Sequence, residues 1–230
     1  AGANTLPPTV NSGGSYTLVI ANTTNGCTAS ETVTVPEDTT PPPAMVATAP
    51  QLDCATTQVT LDGTGSGNAT STFTWSGPGI VSGGNTLMPT IDQPGTYTIV
   101  VTNSDNGCTG EDSVTVTEDT TPPVIVILPP DEVTCETTLV TIDATGSSTG
   151  PNFTFNWVGP GIFSGANTLT PTVNSGGSYT LVIANTTNGC TASETVTVPE
   201  DTTPPPAMVA TPPQLDCIAT EITIDGTGSG

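Results

Sequence analysis

The sequence predicts an all-β chain of tandem sandwich domains, and three observations predict it. The phrase Asn-Gly-Cys-Thr returns at Cys27, Cys108 and Cys190, spaced 108 − 27 = 81 and 190 − 108 = 82 residues. Cys54, Cys135 and Cys217 keep the same spacing, as do Tyr16, Tyr97 and Tyr179. Apolar residues alternate with polar ones in short runs between turn residues, and helical spacing appears nowhere. Displaced by 163, the first 67 residues match the last 67 except at positions 1, 7, 49, 55, 56, 58, 59 and 61, so the duplicated unit is a pair of domains. Repetition of this kind serves length or multiplicity rather than one unique pocket.

Residues 41–121 illustrate one repeat. After Pro41-Pro42-Pro43, Ala44 to Thr48 reads as an edge strand, where proline is tolerated. Val59 and Leu61 alternate with Thr60 and Asp62 in a second strand, and Gly63 to Asn68 connects onward. Phe73 and Trp75 alternate with Thr72 and Thr74 in a third strand, followed by Gly-Pro-Gly at 77–79. Leu87 to Ile91 is a weaker strand. Tyr97, Ile99 and Val101 face one way in Gly95 to Asn103, and Val114 with Val116 mark the last strand after the turn at 104–107. Six short strands in about 80 residues predict an immunoglobulin-like β-sandwich. Trp75 and Trp157 fill its cores, with Tyr97 and Tyr179 at the position of a tyrosine corner; Phe163, in a glycine-rich loop, is the one aromatic set apart as a possible binding platform.

Composition excludes several functions. The chain has 21 Asp and Glu and no Lys, Arg or His, a formal charge of −21. Nothing can neutralise a phosphate backbone, so nucleic acid is excluded as a partner, and an anionic membrane surface is disfavoured. Histidine metal sites, lysine nucleophiles, and Ser-His-Asp or Cys-His catalysis are also impossible. Paired carboxylates remain, but no cleft-forming insertion interrupts the repeats, and an enzyme is not expected. No run of 18 apolar residues is present, so no membrane insertion is expected. A 33% hydrophobic fraction arranged in alternating patches argues against disorder.

The phrases "LDGTGSG", "FTWSGPGI", "GTYTIVVTNSDNGC" and "DSVTVTEDTTPP" resemble the tandem Ig-like or PKD-like repeats of large secreted bacterial surface proteins and adhesins. The resemblance spans essentially the whole sequence. It implies extracellular display, adhesion or fibre building, with self-association or neighbouring repeats as partners, and surface glycans as the ligands of an adhesin. The absence of basic residues departs from that pattern.

The acidic, proline-rich phrase Glu37 to Pro42 recurs as Glu118 to Pro123 and Glu200 to Pro205, and stiffens each joint. The expected organisation is tandem Ig-like domains of about 81 residues on such linkers: a C-terminal part at 1–40, whole repeats at 41–121 and 122–203, and an N-terminal part at 204–230. Six cysteines in a secreted β-protein imply disulfides. Three pairings fit the repeat symmetry: within a domain, as Cys54–Cys108 and Cys135–Cys190, with Cys27 and Cys217 pairing beyond this sequence; across each linker, as Cys27–Cys54, Cys108–Cys135 and Cys190–Cys217; or between adjacent domains, as Cys54–Cys190. Spacing alone leaves these open. Single domains of the family that carry both cysteines favour the first.

The acids gather near the joints: Glu37, Asp38, Asp62 and Asp105; Glu118, Asp119 and Asp143; Glu200, Asp201 and Asp225. They are candidate calcium ligands, because calcium takes six to eight oxygens, against a simpler reading as solvated acidic loops. No other cofactor is indicated. Thr39, Thr120 and Thr202, each after an Asp, and Ser113 after Asp112, resemble the Asp-Ser/Thr O-glycosylation motif of some secreted bacterial proteins. Asn22, Asn68, Asn152 and Asn185 form Asn-X-Ser/Thr sequons. The function expected is a structural extracellular fibre or stalk; the alternative is an adhesin or carbohydrate-binding spacer.

Overall fold

The structure, a computed structural model, describes residues 7–227. The described residues form two compact units, one of residues 7–52 with Thr56–Asp119, the other of Asp53–Ala55 with residues 120–227. All eighteen regular elements among the described residues are strands.

In the first unit, a hairpin of β1 (Gly14–Ala21) and β2 (Thr28–Val35) precedes a sandwich. The sandwich comprises β3 (Leu52–Asp53), β4 (Val59–Thr60), β5 (Ser71–Ser76), β6 (Ile80–Ser82), β7 (Thr90–Ile91), β8 (Gly95–Asn103), β9 (Thr109–Val116) and β10 (Glu118–Asp119). One sheet has the order β4-β7-β6 and the other β5-β8-β9, while β10 pairs with β3 at the margin. Two antiparallel sheets with these crossings are an immunoglobulin-like sandwich.

The alternation in the sequence becomes the core directly. Successive strand residues point to opposite faces, so Tyr97, Ile99 and Val101 of β8 turn inward together and are fully buried. They meet Leu52, Val59, Leu61, Trp75, Ile91 and Val116. Burying each large apolar side chain favours folding by roughly 1.5–3 kcal/mol. Trp75 pairs with Ile99 across β5–β8, and its indole N–H donates to Thr86 O at 2.9 Å, so the ring is buried without leaving a polar group unmet. The phenol of Tyr97 donates to Gln93 O at 2.6 Å, completing the tyrosine corner. Its ring lies over Gly77, where a Cβ would collide with it.

The second unit repeats this design with β11 (Val133–Thr134), β12 (Val140–Thr141), β13 (Phe153–Val158), β14 (Ile162–Ser164), β15 (Thr172–Val173), β16 (Gly177–Asn185), β17 (Thr191–Val198) and β18 (Glu200–Asp201). Its sheets are β12-β15-β14 and β13-β16-β17, and β11 pairs parallel with β18. Trp157 donates to Thr168 O at 3.0 Å and Tyr179 to Ser175 O at 2.6 Å.

Two local expectations need correction, and one strand lies outside the expected set. Residues 44–48 do not join a ladder. Met45 N and Val46 N donate to Ser66 Oγ and Asp112 Oδ2, and Ala47 N donates to Asp62 O at 2.9 Å. The weak fourth strand shrinks to Thr90–Ile91, and Pro89, which has no N–H to give, stands before it. Ile80–Ser82, hidden in sequence by flanking glycines, forms a strand with a register shift against β7.

The hairpin β1–β2 carries the same face as β16–β17 but no second sheet covers it among the described residues. Leu18 and Ile20 are therefore 47% and 60% exposed, whereas Leu181 and Ile183, 163 residues on, are 0%. Residues 204–227 form no extended strand; Ala210 N donates to Asp225 O at 2.9 Å.

Candidate functional site

The chemistry of the chain centres on the turn between β16 and β17. Gly189, at φ 69°, closes the turn by donating to Asn185 O at 2.8 Å, and Asn185 N donates to Cys190 O at 2.9 Å. Glycine adopts this left-handed backbone without the steric cost of a Cβ. Asn188, only 3% exposed, is the hub. Its Oδ1 accepts from Cys190 N at 3.0 Å, its Nδ2 donates to Thr121 O at 3.1 Å, and its own carbonyl accepts from Cys54 N at 3.0 Å. Thus one side chain sets the cysteine and holds the linker, while its backbone receives the arriving segment.

That segment is Asp53–Ala55, which packs within the second unit. Cys54 and Cys190 form a disulfide with Cα atoms 5.0 Å apart, within the span such a bond permits. Asp53 Oδ1 accepts from Ala55 N at 2.9 Å and shapes the loop. A Cβ on Gly189 would lie 2.6 Å from that of Ala55, so only glycine admits so close an approach.

This bond corrects the within-domain pairing. Cys54 follows β3, which pairs with β10 beyond the C-terminal end of β9, whereas Cys108 stands before the N-terminal end of β9. Eight strand residues at about 3.4 Å each separate the two ends by roughly 25 Å, far beyond disulfide reach. Cys135 and Cys190 stand in the same relation to β17. The across-linker pairing fails as well, because Cys54 and Cys190 are bonded to each other and Cys108 and Cys135 are not. Of the three symmetric pairings, the one between consecutive repeats is present.

Among the described residues no group of three or more His, Cys, Asp or Glu side chains is placed to hold a metal ion. Most of these carboxylates serve nearby backbone. Asp62, Asp143 and Asp225 accept from the amides of Thr64, Thr145 and Thr227, and Asp38 and Asp201 from those of Thr40 and Thr203. Glu37 and Glu200 accept from Gly13 N and Gly176 N, both at 2.6 Å, and Asp105 from the hydroxyl of Thr70. Glu118 and Asp119 form β10. Two hydrogen bonds from Thr64, hydroxyl first and amide second, hold Asp62 below the usual carboxylate pKa. For Asp143 the Thr145 amide leads, and for Asp38 the Thr40 amide leads with Asn106 second.

The candidate glycan acceptors Thr39, Ser113, Thr120 and Thr202 are all exposed. Phe163 is 65% exposed, but the residue at its place in the preceding repeat is Val81, so no aromatic platform repeats along the chain. Trp75, Trp157, Tyr97 and Tyr179 are core residues. Sequence reasoning missed the role of Asn106 and Asn188, which grip the linker carbonyls Thr40 O and Thr121 O. Their place two residues before each hairpin cysteine was the available signal. Among the described residues no helix is long and apolar enough to cross a membrane.

No protein-family model matches the chain, and no curated protein matches it. Solved structures similar to it include extracellular domains 3–5 of Drosophila OTK, at 16% identity and TM-score 0.35, covering 83% of this chain and 72% of that one. Immunoglobulin domains 1–5 of Sidekick-1 match at 14% identity and TM-score 0.33, over 87% of this chain and 49% of that one. Three N-terminal domains of the highly immunogenic outer capsid protein of bacteriophage RB49 match at 18% identity and TM-score 0.37, over 69% and 59%.

Proposed function

We propose that this chain is a structural segment of an extracellular fibre or stalk, in which 41–121 and 122–203 are successive immunoglobulin-like domains. The Cys54–Cys190 disulfide carries the reading, because it ties one sequence repeat to the next across 136 residues. A within-domain bond would have stabilised each bead alone; this one takes force applied along the chain off the intervening residues. Disulfides persist in oxidising compartments, which supports an extracellular place. A charge of −21 with no basic residue discourages lateral clumping and leaves trypsin no cleavage site. Glycans on Thr39, Ser113, Thr120 and Thr202 would thicken the same surface, and intact mass checks them: a mass equal to the bare chain removes that part of the reading. The alternative, an adhesin or carbohydrate-binding spacer, would rest on Phe163. Electron microscopy of the native material tests the reading: filaments with an axial periodicity of one or two repeats are expected, and dispersed flexible beads would overturn it.

A further inference from the structure

Six cysteines fall into two types by position, and the one bond in the structure joins one of each. Cys54, Cys135 and Cys217 stand in the loop ahead of the second strand; Cys27, Cys108 and Cys190 follow Asn-Gly in the hairpin turn. We infer that the remaining thiols are halves of the same staple. On this inference Cys135 and Cys217 bond the hairpin cysteines of following repeats, and Cys27 and Cys108 bond the loop cysteines of preceding ones. It rests on the fibre reading for its partner, another repeat of this sequence.

The hairpin seat is built identically at all three places. Asn22, Asn103 and Asn185 donate to Cys27 O, Cys108 O and Cys190 O at 2.8–2.9 Å. Asn25, Asn106 and Asn188 accept from the three cysteine amides at 3.0, 2.9 and 3.0 Å. Gly26, Gly107 and Gly189 share φ values of 73°, 72° and 69°. The seats differ in what faces the glycine. Ala55 lies against Gly189, whereas nothing lies within 4 Å of a Cβ at Gly26 or Gly107. Cys190 is accordingly 1% exposed, while Cys108 is half-buried and Cys27 exposed.

The loop type is equally prepared. The residue ahead of each cysteine folds its side chain onto amides just past it: Asp53 onto Ala55, Thr134 onto Glu136 and Thr137, Asp216 onto Ile218 and Ala219. Cys135 and Cys217 are thereby held exposed on shaped loops. Alanine is not kept after the cysteine, since Glu136 and Ile218 stand there, but both are exposed. The contact with the glycine needs only the Cβ that all three residues have.

Bond formation removes two protons and two electrons from one thiol of each type. A protein disulfide of the thiol–disulfide exchange class accepts them. One thiolate attacks it to give a mixed disulfide, the second thiolate displaces the carrier, and the carrier leaves as a dithiol.

The test is a non-reducing peptide map of the full native protein, with free thiols alkylated first. Cleavage after Asp and Glu replaces trypsin and yields the Cys135 peptide separately from those containing Asn-Gly-Cys-Thr. The expected result is Cys135 joined to an Asn-Gly-Cys-Thr peptide, with alkylation of Cys108 and Cys135 at least about tenfold lower before reduction than after. Cys108 and Cys135 alkylated without reduction, or joined to each other, would overturn the inference. Non-reduced mass separates the sources: a single-chain mass places the partner in the same chain, a multiple places it in a second copy, and either supports the staple. C135S should lose this cross-link while keeping Cys54–Cys190, which controls for folding. Micrographs of the same sample separate the two readings. Staples without filaments would remove the fibre; filaments with free thiols would remove the recurring staple.

Discussion

Replacing Cys54 with Ser should be the most destabilising single-atom change on the surface of the chain. The bond closes a loop of 136 residues, and the chain-entropy relation then gives about 5 kcal/mol at 25 °C if both units unfold together. If the second unit unfolds while the first stays folded, the flexible stretch runs from Thr120 to Cys190. That is roughly 70 residues, and the same relation gives about 4.4 kcal/mol. At 4–8 °C per kcal/mol for a domain of this size, the second unit should lose roughly 18–35 °C in Tm. The assay is thermal and urea unfolding of the parent, C54S, C190S and the double variant, with other thiols blocked. Because all three variants remove one shared bond, the double should cost about as much as either single. C108S and C135S in the purified chain should change nothing, since neither takes part in this bond. A C54S variant within 1 kcal/mol of the parent would refute the reasoning. So would a double variant whose cost is the sum of the singles.

Tyr97→Phe and Tyr179→Phe should each cost about 1 kcal/mol by loss of the corner hydrogen bond, read as a shift in urea midpoint, while Tyr16→Phe on the uncovered hairpin should cost less. Equal costs at all three would contradict a core role for the corner. Gly77→Ala drives a Cβ into the Tyr97 ring at a φ of +152° and should cost roughly 2 kcal/mol or more. Gly63→Ala should stay within about 1 kcal/mol, because Ala144 already occupies that position, fully buried, in the following repeat. For Asp62 and Asp143 the folded pKa lies below 3.8, so their contribution is present above that value and lost as pH falls through the folded pKa. Carboxyl NMR titration should place both midpoints below 3.8; midpoints at or above it would contradict the threonine hydrogen bonds.

The sandwich was legible because its strands state their burial in period two. Tyr97, Ile99 and Val101 appear in sequence as one face and in the structure as one fully buried row. What escaped was governed by single residues with no periodic signal. Ser66 and Asp112 draw the backbone of Met45 and Val46 out of a ladder, and that substitution of side chain for backbone leaves no mark on local pattern. The disulfide escaped for a related reason. The cysteine spacings fit three connectivities equally, and the length of β9 between Cys108 and the β3–β10 pair, which excludes the within-domain one, leaves no mark on them. The acids cluster along the sequence, but among the described residues no three of them converge in space. Asp62 and Asp143 each turn back onto the second residue after them and are used there.

The central claim, that tension passes through a staple between consecutive repeats, is tested most directly by single-molecule extension of the full chain with and without reductant. With the bond intact, the chain between Cys54 and Cys190, a sequence separation of 136, is shielded from force. At about 3.5 Å per residue, reduction should release roughly 480 Å of extra contour length. Equal contour lengths in both conditions would show that the bond does not take the load, and the account would fail.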